Sequence, residues 1–135
     1  MSALDDQLPE TVTGQKFTSA HRLHKGYQFD AVFKGSQLRV SGSEFLLLGI
    51  FNGSACNRLG MVVGKKTAGP SVQRSRIKRL IRESFRTFDH RAVIHPSLDV
   101  VIVTRSGVAK KANHELSAVL ASSWFRLFSK ASSSS

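Results

Sequence analysis

Ser71-Val72-Gln73-Arg74-Ser75-Arg76-Ile77-Lys78-Arg79-Leu80-Ile81-Arg82-Glu83-Ser84-Phe85-Arg86-Thr87-Phe88 is the stretch on which the reading of this 135-residue chain turns. Ile77, Leu80, Ile81, Phe85 and Phe88 recur at i, i+3, i+4, i+8 and i+11, so they form one apolar stripe that must be buried. The spacing predicts a helix from Ser71, read as its N-cap, to about Phe88. Six cations (Arg74, Arg76, Lys78, Arg79, Arg82, Arg86) stand against one acid, Glu83. At about 100° per residue, Lys78, Arg79, Arg82 and Arg86 fall opposite the stripe with Ser75 among them, while Arg74 and Arg76 lie on its two flanks. Like charges four residues apart each cost a few tenths of a kcal/mol, and cations in the first turn oppose the helix dipole by roughly 0.3–1 kcal/mol. Ordinary solvated faces mix signs. A counter-charge from outside is therefore expected, and a phosphate backbone supplies one while releasing its condensed cations.

Outward from this helix the chain alternates elements. On the N-terminal side the pattern predicts a short helix from Tyr27 to Lys34, with Phe29, Val32 and Phe33 on one face and Gly35 as its stop. Strands follow at Gln37–Ser41 and Glu44–Phe51 around a Gly42 turn, and at Leu59–Val63 after the turn Asn52-Gly53-Ser54. A loop through Gly69-Pro70 leads into the basic helix. Beyond Pro96, Asp99–Thr104 reads as a buried strand by its β-branched run. Asn113 is placed to cap a last helix carrying Leu116, Val119, Leu120, Trp124, Leu127 and Phe128 at helical spacing. The order αβββαβα makes an α+β fold, helices packed on one sheet. Residues 1–16 are polar and locally acidic and 131–135 end in a serine run, so both are expected to be flexible tails around a single domain over 17–130.

Twenty Lys+Arg against nine Asp+Glu, a net charge of +11, indicate a nucleic acid or an anionic membrane surface as partner. No run of 18 apolar residues occurs and the chain opens without a basic and hydrophobic leader, so a soluble, unexported, cytoplasmic protein is expected. The lone Cys56 can form no internal disulfide, and the Asn52-Gly53-Ser54 sequon has no meaning in a protein that is not secreted. His21 and His24 have a metal-like spacing but no third ligand nearby, and no nucleotide-loop, zinc-protease or serine-hydrolase motif is present. With so few and scattered acids the chain cannot readily build a protein-held two-metal nuclease. It reads as a binder.

Val62-Val63-Gly64-Lys65-Lys66 and Arg74-Ser75-Arg76-Ile77-Lys78-Arg79-Leu80-Ile81-Arg82-Glu83 resemble the signature of the bacterial ribonuclease P protein subunit, whose helix normally reads RNRxKRxxRE. His21-Arg22-Leu23, Phe29-Asp30-Ala31-Val32-Phe33-Lys34-Gly35, Phe45-Leu46-Leu47-Leu48, Arg58-Leu59-Gly60 and Asp99-Val100-Val101-Ile102-Val103 resemble that family in the same order, over roughly 17–128. The resemblance implies an αβββαβα two-layer sandwich like the second domain of a ribosomal protein. It has a mixed four-stranded sheet and a left-handed βαβ crossover, against the usual hand. It also implies an endoribonuclease subunit that binds a catalytic RNA and the 5′ leader of precursor tRNA, helping to remove the leader. Mg²⁺ would be held mainly by the RNA, with no catalytic residue in the protein and neither a membrane nor a further protein required.

RNA contacts are then expected from Lys65, Lys66, Arg74, Ser75, Arg76, Lys78, Arg79, Arg82 and Arg86, and a leader cleft from Phe29 and Phe33 on one wall and Lys78 and Arg82 on another. By spacing alone Phe29 and Phe33 serve equally well as core, whereas Phe45, Phe85, Phe88, Trp124 and Phe128 are core; Arg58 and Arg105, flanking strands, are further candidate contacts. Two departures stand out: Ser75 replaces the usual Asn, and the loop Thr67-Ala68-Gly69-Pro70-Ser71 is one residue longer than the family's. A structural RNA-binding protein of ribosomal type is the alternative function, and an autonomous metal nuclease a third.

Overall fold

The computed structural model of the chain describes residues 22–23, 26–54, 56–90 and 95–134. The N-terminal segment 1–16, His21 and His24 lie outside these. The elements are α1 (Gly26–Gly35), β1 (Leu38–Ser41), β2 (Phe45–Phe51), β3 (Arg58–Val62), α2 (Lys65–Ala68), α3 (Ser71–Thr87), β4 (Leu98–Thr104), a 3-10 turn (Ser106–Lys110) and α4 (Asn113–Ser134). The sheet order is β1-β2-β4-β3. β1 with β2 and β2 with β4 are antiparallel, while β3 and β4 run parallel, with Leu47 opposite Ile102 and Leu59 opposite Val100. α2 and α3 therefore form the crossover between parallel neighbours.

Alternation along the strands sorts side chains onto two faces. Leu38, Val40, Phe45, Leu47, Leu59, Val100 and Ile102 share the larger cluster with Ile77, Ile81 and Phe85 of α3 and Leu116, Leu120, Trp124, Leu127 and Phe128 of α4. Leu48 and Val101 point the other way and meet Leu23 and Val32, with Phe29, Leu46, Ile50 and Val103 packed around them. α3 and α1 thus lie on opposite faces of the sheet. Gly60 lets the Phe29 ring lie against β3 on the α1 face, since a Cβ there would stand 2.6 Å from that ring and displace it. Along the outer edge of β3, Arg22 forms an isolated parallel bridge with Leu59, and the Leu23 N–H donates to the Leu59 carbonyl at 3.0 Å.

Several local expectations are corrected. Ser71 is the first helical residue, not the cap; Pro70 takes that position at φ −66°, ψ 170° without a side-chain cap bond, since its ring already fixes the extended entry. The expected loop at residues 67–71 begins inside a helical turn, Lys65–Ala68, ended by Gly69 at φ 93°, a left-handed conformation that glycine adopts without steric cost. Asn113 lies inside α4 and turns its Oδ1 to Arg76. The Ala112 N–H is instead satisfied by the Glu115 carboxylate at 2.9 Å, which holds that carboxyl below its ordinary pKa. The C-terminal serine run, read as a tail, continues α4 to Ser134, and Ala131 is buried; it follows Leu127 by four residues and so stays on the same helical stripe.

Candidate nucleic-acid interface

The two flanks of α3 have different neighbours. On one, the Arg76 guanidinium donates from Nε to Gln73 Oε1 at 2.8 Å and from Nη1 to Asn113 Oδ1, tying α3 to the start of α4. Trp124 Nε1 donates to Ser84 Oγ at 2.8 Å and strengthens the same docking. Arg74, Lys78 and Arg82 occupy the other flank, successive at i, i+4 and i+8. Burial, then Arg22 and then Arg79 push the pKa of Arg82 down, and Arg22 stands at the β3 edge. The Arg74 Nε is buried without an acceptor among the described residues. A flank of cations that repel one another, one with an unmet donor, is chemically prepared for an external anion.

Between the flanks Ser75 and Arg79 are exposed, and both line a groove with Val72, Arg76, Glu83 and Asn113. Arg86 is committed locally, its Nε and Nη2 reaching the Glu83 carboxylate at 3.0 and 2.5 Å, so that the guanidinium holds Glu83 below the usual carboxylate range. Lys78, Arg79 and Arg82 make no ion pair among the described residues, whereas Arg58 pairs with Asp99, Arg86 with Glu83 and Lys111 with Glu44. Lys65 and Lys66 are exposed on α2.

On the α1 face the two phenylalanines separate. Phe29 is half-buried against the smaller cluster, whereas Phe33 is 46% and Tyr27 71% exposed. Phe29 packs with the cluster on the α1 face of the sheet, whereas α3, which carries Lys78 and Arg82, packs with the cluster on the other face. A strand touching both walls must pass around the β3 edge, at Arg22. Sequence reasoning did not single out the places of Arg22 and Tyr27: no local period marks an arginine that bridges to a strand 37 residues later.

Arg58 and Arg105, candidate contacts by position, are engaged in holding the fold. Arg58 clasps the buried Asp99 through Nε at 2.7 Å and Nη2 at 2.8 Å, and Asn52 Nδ2 adds a bond to Asp99 at 2.8 Å. Arg105 Nη1 donates to Ser41 Oγ at 2.9 Å and the Gly42 carbonyl at 3.2 Å. The described acids are thus largely committed, and among the described residues no three His, Cys, Asp or Glu side chains gather as a metal site would need. Among them, too, no helix is long and apolar enough to cross a membrane.

The ribonuclease P family model matches residues 17–128. The chain is 40% identical over 116 residues to the ribonuclease P protein component of Pseudomonas aeruginosa, covering 86% of this chain and 84% of that one. It is 42% identical over 111 residues to that of Stutzerimonas stutzeri, covering 82% of each. Among solved structures, the RNase P protein of Staphylococcus aureus superposes with TM-score 0.65 at 26% identity over 82% of this chain and 94% of its own. That of Thermotoga maritima superposes with TM-score 0.64 at 26% identity, over 81% and 96%.

Proposed function

Since the chain belongs to the bacterial ribonuclease P protein family, as the protein subunit of an endoribonuclease whose activity its RNA carries, we propose how its own residues serve the removal of the tRNA 5′ leader. The domain over residues 17–130, with the helical turn beyond it, binds RNA through α3. Arg74, Lys78, Arg79 and Arg82 meet phosphates, Ser75 offers a hydroxyl beside them, and Lys65 and Lys66 extend the contact. Arg76 and Arg86, held by Asn113 and Glu83, contribute charge from fixed positions. The observation that carries this reading is the flank Arg74-Lys78-Arg82, whose cations form no ion pair among the described residues, with the Arg74 Nε buried and unmet there and Arg82 repelled by Arg22. The leader crosses from Phe33 and the edge of Phe29, where unstacked bases find aromatic faces, around β3 to Lys78 and Arg82. Mg²⁺ is held mainly by the RNA, and the complex works in the cytoplasm.

The two aromatic positions test the leader path separately. Phe33→Leu is expected to leave the melting temperature unchanged while weakening precursor tRNA binding by the holoenzyme about fivefold or more, on the order of 1 kcal/mol for a lost stack. Mature tRNA, which lacks the leader, should bind as before. Phe29→Leu should lower both leader affinity and stability, since that ring also packs over Gly60. Equal losses with precursor and mature tRNA would remove Phe33 from the leader path.

Ser75 is exposed and its substitution disturbs no buried contact. Ser75→Asn adds a group that can donate and accept at once. Folding should be preserved and precursor binding unchanged or tighter, as read by titration of the reconstituted enzyme. A large loss would mean that the longer entry loop has re-aimed this position.

A further inference from the structure

We propose that the end of the sheet where β3 and β4 finish carries a second phosphate-binding surface, in which Lys110 and Lys111 join Lys65 and Lys66 to receive the backbone of the large RNA partner. This rests on the RNA-binding reading of α3 and extends it to residues far from that helix in sequence.

The lysines belong to segments some forty residues apart that the fold locks together. The Thr67 and Thr104 hydroxyls meet at 2.6 Å, and the Gly64 N–H donates to Thr104 Oγ1 at 3.2 Å. Ala68 of α2 and Val108 of the 3-10 turn are both fully buried in the larger core. The turn is pinned from its other side as well. The Arg105 N–H donates to the Glu44 carbonyl at 2.8 Å and the Gly107 N–H to the Ser43 carbonyl at 3.3 Å. A Cβ at position 107 would stand 2.8 Å from that Ser43 oxygen, so only glycine permits the approach. Lys65, Lys66 and Lys110 are exposed on this rigid support. Glu44 takes Lys111 at 3.7 Å, and the Glu115 carboxylate also feels the Lys111 charge, while Lys65, Lys66 and Lys110 form no ion pair among the described residues.

Charge and direction then select the partner. Four ammonium groups stand close to the N-terminus of α3, where the helix dipole is itself positive, and among the described residues the nearby acids, Glu44 and Glu115, act on Lys111 alone of the four. Because the backbone that carries them is held in place, an incoming polyanion has only their side chains to order on binding. The Arg76 contact with Asn113 puts Lys110 and Lys111, which directly precede α4, on the α4 side of α3. Arg82 lies about 120° around the helix from Arg76, and Arg22 bridges to Leu59 on the outer edge of β3. A leader strand held along α1 and the β3 edge does not extend to this platform, which leaves the large RNA as its ligand.

The test titrates the full-length protein into the catalytic RNA across a series of salt concentrations, comparing Lys110→Ala, Lys110→Arg, Arg79→Ala and Arg126→Ala. The last removes the same charge from an exposed position on α4. Lys110→Ala is expected to reduce the log–log salt slope by about 0.7–0.9 and to weaken binding several-fold, whereas Lys110→Arg restores both. The holoenzyme's preference for precursor over mature tRNA should not move. If Lys110→Ala matches Arg126→Ala while Arg79→Ala still weakens binding, the platform is overturned and the reading of α3 survives. If Arg79→Ala also behaves as wild type, both fall. A loss confined to precursor tRNA binding would overturn the assignment to the large RNA.

Discussion

Trp124→Ala is expected to remove about 3–5 kcal/mol of folding stability, the range for deleting a fully buried aromatic side chain. Trp124 is completely buried between α3, α4 and the sheet, stacked edge-on against Phe85 at a centroid distance of 5.3 Å, with its indole N–H bonded to Ser84. The loss combines transfer of the ring, the cavity left behind and an orphaned Ser84 hydroxyl, in decreasing order. Urea unfolding would read it as a lowered midpoint. Trp124→Phe separates the terms, keeping most of the apolar volume and losing the bond. A midpoint shift under about 1 kcal/mol for the alanine variant would mean that α4 is not docked on α3 through this ring.

The second large effect concerns binding with the fold intact. Arg79→Ala combined with Arg82→Ala should flatten the log–log salt dependence of catalytic-RNA binding by about two units, one per phosphate contact. Near physiological salt the affinity should fall about 10- to 100-fold, on the order of 1 kcal/mol or more for each charge-assisted contact. Thermal melting should be unchanged, because neither residue is in an ion pair among the described residues and removing Arg82 relieves its crowding against Arg22 and Arg79. Salt slopes that coincide with wild type would exclude both side chains as phosphate contacts.

The elements were legible because their signals are local. The apolar stripe of α3, the β-branched run at Asp99–Thr104 and the spacing of the last helix all reappear in the structure within a residue or two. Helix starts were less legible, since a cap depends on where side chains find partners. Ser71 lost the role to a proline whose backbone needs no help, and Asn113 turned to an arginine 37 residues away. The serine run was misread because composition suggested a tail, while the burial of Ala131 depends on what lies beneath that last turn.

By itself the sequence determined that a cationic helix exists, which of its sides is buried and that its charge requires an outside partner, because side-chain direction repeats every 3.6 residues and like charges repel in any context. On the helical wheel Arg74 and Arg76 are equivalent flanking cations, and Phe29 and Phe33 equivalent members of one face. Only the tertiary structure made them different. α4 arrives on the Arg76 side and supplies Asn113, while the Arg74 Nε finds no acceptor among the described residues. Gly60 lets β3 press against Phe29 while Phe33 remains in solvent. Such distinctions depend on contacts between residues distant along the chain, and no local period carries them.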